Sequence, residues 1–145
     1  EISECLVGSE MCIRDSCKQY DEYNGSVAVV VCDINHLSDI NIQYGQKAGN
    51  QALINVAGVL KKILMDRAYI ARINECNFVA VMKNVTDAEA GKTFEQIKRV
   101  VEKECNNGKF GVTIEYGIAM RKASNRWIMD IVHEAVNNMR DRKGR

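Results

Sequence analysis

The chain has 145 residues, 46% hydrophobic and 27% charged, which suffices for one domain with a real core and is too short for two. Its 20 basic and 19 acidic residues leave a net charge of +1 and are mixed along the chain except at the basic end, residues 140–145, so charge does not suggest a nucleic-acid partner. No apolar run approaches the roughly 20 residues that span a bilayer, and the start lacks the basic-then-apolar order of a signal peptide, so a cytoplasmic location is expected, with no membrane contact by this segment.

Residues 1–17 show neither helical nor strand periodicity and are read as a non-native or disordered leader, with the domain proper over residues 18–145. Residues 5–16 look like a translated sequencing-adapter remnant, and the native N-terminus is then lost with whatever sensor or linker preceded it. Asn24-Gly25 is a turn signal. Ser26 to Ile34 is a continuous apolar, mostly β-branched run, the pattern of a strand buried on both faces, and it delivers the carboxylate of Asp33 to its end. From Ile40 to Met65, the apolar residues Ala48, Ala52, Leu53, Val56, Ala57, Leu60, Ile63 and Leu64 are spaced as a helix with one buried stripe requires. Gly45 and Gly49 suggest a short helix, a turn and a longer helix.

Ala68 to Ile73 and Phe78 to Met82 read as two strands of a hairpin joined by residues 74–77. Thr86 followed by Glu89 is a capping-box signature opening a helix over residues 86–106, with Ala90, Phe94, Ile97 and Val101 inward and Gly108 as its stop. Val112 to Ala119 makes another strand. A closing helix packs Ile128, Ile131, Val132, Ala135, Val136 and Met139 inward, with Trp127 as a core anchor. The interleaving of strands and helices predicts an α+β fold of the ferredoxin-like or palm type, a mostly antiparallel central sheet flanked by helices. Six cysteines without Cys-x-x-Cys spacing, and with neither His36 nor His133 near a cysteine cluster, read as reduced thiols rather than disulfides or zinc ligands. Both histidines are expected at the surface or partly packed.

Two stretches carry the remaining information: Asp33, Asn35, Leu37, Ser38, Ile40, Asn41, Ile42, Gly45, Gln46, Gly49, Asn50 and Leu53, and the hairpin Arg72-Ile73-Asn74-Glu75-Cys76-Asn77-Phe78. The first is similar to the pattern Asp-x-Asp-x-Phe-Lys-x-Ile-Asn-Asp-x-x-Gly-His-x-x-Gly-Asp-x-x-Leu of the GGDEF family, the diguanylate cyclases. The second stands where that family has Gly-Gly-Asp-Glu-Phe. Thr113 with Gly117-Ile118-Ala119, and Glu134-Ala135-Val136 with Arg140, extend the resemblance from about residue 26 to the end. It implies the GGDEF fold and, in active members, a cyclase that joins two GTP into cyclic di-GMP with two Mg²⁺ held by the strand-end Asp and a hairpin acid.

The departures from the pattern carry the functional expectation. Two-metal chemistry needs hard oxygen ligands, and here Cys76 and Asn77 put a soft thiol and a neutral amide where carboxylates belong. The side chains of Asn74 and Glu75 fill the space of two glycines, and Glu75, the only acid left in the hairpin, stands one position early. Asp33, Glu75, Cys76 and Asn77 are thus vestigial catalytic positions. Asp33 is the one candidate metal ligand, with Mg²⁺ expected only if a nucleotide is bound and no other cofactor. By resemblance, Asn41, Asn50 and Arg140 are the candidate nucleotide contacts, with Asn50 in place of an Asp and Arg140 in place of a Lys. The product-inhibition motif Arg-x-x-Asp would fall at Met65 and Ala68 and is absent, as is the Asp-x-Leu-Thr-Gly-Leu-x-Asn-Arg motif that precedes the domain in the family. The resulting expectation is a catalytically inactive GGDEF-like domain, a regulatory or interaction module within a larger signalling protein, with a homodimer left open. The alternatives are a diguanylate cyclase with residual activity and a GTP sensor without turnover.

Overall fold

The structure, a computed structural model, describes residues 20, 21, 23, 25–105, 111–122 and 127–143. The leader at residues 1–17 and the stop at Gly108 lie outside these.

Strand β1 (Val27–Ile34) has every residue buried, as its unbroken apolar run requires. A short helix, α1 (Leu37–Tyr44), follows, and α2 (Gln46–Leu64) is separated from it by Gly45 alone. Gly45 has φ +94°, a conformation that favours a residue without Cβ, so the break between the two helices falls there. Gly49, expected to share in that break, lies instead inside α2.

After a single 3-10 turn (Met65–Arg67), β2 (Tyr69–Arg72) and β3 (Asn77–Lys83) form the hairpin. Helix α3 (Asp87–Glu104) starts with the full capping box: the Thr86 hydroxyl accepts from the Glu89 amide at 3.1 Å and the Glu89 carboxylate accepts from the Thr86 amide at 3.2 Å. Strand β4 (Ile114–Arg121) and α4 (Ile128–Lys143) complete the domain.

The sheet is antiparallel throughout, in the order β2-β3-β1-β4. Alternation along β1 divides the core in two. Ala28, Val30, Cys32 and Ile34 face α2 and α3, joining Val56, Leu60, Phe94 and Ile97 in one cluster. Val27, Val29 and Val31 face α4 with Ile128, Ile131, Ala135 and Met139 in the other. Full burial of side chains of this size contributes about 1.5–3 kcal/mol each, so these clusters outweigh any surface ion pair in holding the fold. Trp127 is a correction: it is 68% exposed at the start of α4 rather than anchored in the core. The inward stripe of α4 begins one residue later, at Ile128, which leaves the indole outside.

At Gly117 the contact between β4 and α4 is backbone to backbone. A Cβ placed on Gly117 would collide with the Ala135 carbonyl and the Met139 amide, whereas one on Gly58, on the exposed side of α2, would meet nothing. Gly117→Ala should therefore lower stability by about 2 kcal/mol through overpacking. Gly58→Ala should raise it by roughly 0.5–1 kcal/mol through helix propensity. Urea denaturation of the two variants checks both signs.

Candidate functional site

The end of β1 places Asp33 between the hairpin and β4. Asp33 is 7% exposed and sits opposite Asn77 of β3 and Glu115 of β4 in the two ladders. By alternation it lies on the α4 side of the sheet. The strand end is tied to both neighbours. Ile34 donates its amide to the Cys76 carbonyl at 3.1 Å, and Asn35 donates its amide to the Thr113 carbonyl at 2.9 Å and its side-chain amide to the Thr113 hydroxyl at 3.1 Å. Asn35 and Thr113 are thereby partners of each other.

The hairpin turn is closed on itself. The side-chain oxygen of Asn74 accepts from the backbone amides of Cys76 (3.1 Å) and Asn77 (3.0 Å), the local bonding that makes Asn a turn residue. The Arg72 guanidinium donates to the carbonyls of Asn74 (2.9 Å) and Glu75 (2.7 Å). Cys76 Sγ lies 3.7 Å from the same Asn74 oxygen, and the Glu75 side chain points to solvent. Two amides that an open glycine turn would direct outward are thus already satisfied.

Asn41 and Gly49 explain each other: the Asn41 carboxamide occupies the place a Cβ on Gly49 would take, and α1 can lie against α2 because that Cβ is missing. The Asn41 side-chain oxygen is buried there with no hydrogen-bond partner. Asn50 is exposed and accepts from Gln46 Nε2 at 3.3 Å. Arg140 is exposed near the end of α4. The residues expected to contact a nucleotide are therefore distributed on both sides of the sheet, with Asn41 and Asn50 on the α1–α2 side and Arg140 on α4. Three surface cavities, of 250, 310 and 470 Å³, are lined by none of Asp33, Asn41, Asn50 or Arg140.

The donor set does not fit a pair of Mg²⁺ ions. Asp33 faces a neutral amide on one side. On the other, Glu115 is committed to Arg142 at 3.4 Å and Lys98 at 3.6 Å. Among the described residues no group of three or more His, Cys, Asp or Glu could hold a metal. The two buried thiols are unpromising as nucleophiles. Burial and the nearby Asp33 and Glu115 carboxylates push Cys32 far above the usual thiol range, and burial followed by Glu104 raises Cys105. Both, with Cys76, are free thiols, while Cys5, Cys12 and Cys17 lie outside the described residues; His36 and His133 are exposed, as expected.

Sequence reasoning missed two features. One is Arg72 as the clamp of the turn, for which an Arg two residues before a turn Asn was the available signal. The other is the charged cluster around β4: Tyr116 donates its hydroxyl to Glu95 at 2.6 Å, and the Arg142 guanidinium stacks 4.3 Å from the Tyr116 ring. No periodicity marks that cluster, because its members come from α3, β4 and α4.

With this geometry in place, comparison with known proteins defines the class. The chain belongs to the GGDEF family: the family described as "Diguanylate cyclase, GGDEF domain" matches residues 11–145. It is 27% identical over 101 residues to Diguanylate cyclase A of Treponema denticola, covering 68% of this chain and 27% of that one. To Diguanylate cyclase DgcP of Pseudomonas aeruginosa it is 33% identical over 81 residues, covering 56% and 12%. The chain spans about a quarter or less of the length of the curated relatives it matches. The GGDEF domain of DgcB from Caulobacter crescentus, solved in complex with c-di-GMP, superposes with a TM-score of 0.84 at 19% identity, covering 99% of this chain and 92% of that one. The FimX GGDEF domain from Pseudomonas aeruginosa does so at 0.77 and 18%, covering 91% and 84%. The α+β, palm-type fold expected from the sequence is thereby established.

Asn74→Ala should lower stability by about 1 kcal/mol, because two turn amides lose their acceptor. Glu75→Ala, on an exposed side chain, should stay within about 0.5 kcal/mol. Both are read from urea midpoints at constant m. A second expectation concerns pH. Burial, then the Glu95 hydrogen bond, push the Tyr116 phenol up from its ordinary 10 to about 12, against the pull of Arg142. The folded state holds this proton more tightly than the unfolded chain, so the contribution is complete below pH 10 and is lost as pH rises toward 12. Tyr116→Phe should flatten the fall in stability across that interval, measured by thermal melts at stepped pH.

Proposed function

We propose that residues 18–145 are a catalytically inactive GGDEF domain that serves as a regulatory or interaction module in bacterial cyclic-di-GMP-type signalling. What supports this reading above all is the self-closed hairpin turn. Asn74 consumes the amides of Cys76 and Asn77, and Arg72 consumes the carbonyls of Asn74 and Glu75, so the turn presents no open cradle of donors to a phosphate. The chemistry of the acids points the same way. Synthesis of a phosphodiester from two nucleoside triphosphates needs several oxygen anions to gather divalent cations against the phosphates. Asp33 stands beside one amide and one carboxylate already held by two cations. The curated relatives named as diguanylate cyclases supply the signalling context, and the partners on this reading are other domains of a longer protein or a second copy of this one.

The test is calorimetric titration with a non-hydrolysable GTP analogue, with and without Mg²⁺, alongside chromatography of a GTP incubation. The expected result is no cyclic di-GMP and no magnesium-dependent heat, in the native chain and in Asp33→Ala alike. Cyclic di-GMP that disappears in Asp33→Ala would establish a residual cyclase. Magnesium-dependent binding without product, lost in Asp33→Ala, would establish a GTP sensor, with Asn41, Asn50 and Arg140 as its contacts.

A further inference from the structure

Arg121, the last residue of β4, is with Asp33 one of two buried charged side chains among the described residues, and at 1% exposure the more deeply buried. Its guanidinium donates to the carbonyls of Tyr20 at 2.7 Å and Tyr23 at 2.6 Å and lies 4.0 Å from the Asp21 carboxylate. Burying a guanidinium is costly unless its donors are met. Here the short strap formed by Tyr20, Asp21 and Tyr23, which precedes β1, supplies acceptors to it. The same Asp21 oxygen accepts from the backbone amide of Ile128 at 2.7 Å. Ile128 opens α4, and Trp127 before it has no side-chain acceptor to cap the helix, although its carbonyl already accepts from Asp130 and Ile131. The cap of α4 therefore comes from Asp21, far away in sequence. Further ties hold the strap to the same end of the sheet. The Tyr23 hydroxyl donates to Asn84 at 2.6 Å, and Lys83 Nζ lies 5.2 Å from the Tyr20 ring and 4.8 Å from the Tyr23 ring. The Tyr23 ring itself is close enough to Gly25 that any Cβ there would collide with it.

We propose that the strap and the first turn of α4 form one two-state unit, docked or released together, with Asp21 as the shared group and Arg121 as the latch. Release of the strap removes the Asp21 oxygen from Ile128 and uncaps α4; unwinding of that first turn removes one of the two interactions that keep Asp21 in place. A pull on the chain ahead of Tyr20, or a partner that captures the strap, is then felt at α4. Because α4 lies against β4 at Gly117 with no side chain between them, the response passes to a helix packed directly on the sheet. The coupling requires no nucleotide and stands apart from the functional reading above.

Amide hydrogen exchange on the full chain tests it. In Asp21→Ala, the amide of Tyr23, which donates to Tyr20, and that of Ile131, which donates to Trp127, should both exchange about fivefold or more faster, the factor expected for loss of a helix cap. Val29 and Val31 in β1 should keep their rates. Asp21→Asn retains the capping oxygen and should leave Ile131 close to native. Arg121→Met should accelerate Tyr23 and Ile131 together without touching the cap itself, and if it is too unstable to measure, the Asp21 pair decides alone. Acceleration of Tyr23 or Ile131 without the other, equal acceleration at Val29 and Val31, or no acceleration would overturn the proposal.

Discussion

The backbone ladder of β1 is the constraint on which everything else depends. A strand with neighbours on both sides and helices over both faces has no direction in which to relax. Its register of Asp33 against Asn77 and Glu115 is consequently set by the pairing of many apolar residues rather than by the acid itself. The fold thus carries Asp33 to one fixed place whatever surrounds it.

The hairpin satisfies its own backbone. A glycine turn leaves amides exposed and lets another molecule approach; a turn built around Asn74 and Arg72 supplies those amides and carbonyls with partners from within. The difference is energetically modest, of the order of one hydrogen bond, yet it alters what the surface can receive. The β4 cluster shows the same economy on the other side of Asp33, where Glu115 is engaged by Lys98 and Arg142. Both arrangements satisfy polar groups from within the domain rather than leaving them open at the surface.

The two ends of the sheet contrast. At the Asp33 end, side chains from α3, β4 and α4 meet in partly exposed ion pairs, each worth little. At the other end, a single buried guanidinium gathers two carbonyls and a carboxylate from a distant segment. Buried charge is the less forgiving of the two, because removing a partner leaves the remaining one desolvated. Helix α4 runs between these ends and bears directly on β4 at Gly117.

The elements were legible from local pattern: the unbroken run from Val27 to Ile34, the three-and-four spacing of α2 and the capping box of Thr86 and Glu89 are each written in neighbouring residues. The positions of Asp33, Asn41 and Arg140 on their elements could be read in the same way. Trp127 was misplaced because a helix stripe does not say where its first turn leaves the core. The sequence by itself determined the order and type of the elements and the family they belong to, since these depend on residue type and spacing along the chain. Only the tertiary structure decided that Asn74 and Arg72 close the turn, that Asn41 rests on Gly49, and that Arg121 and Asp21 join the strap to α4. Those contacts depend on directions in space, between groups that the chain brings together only after the sheet has formed.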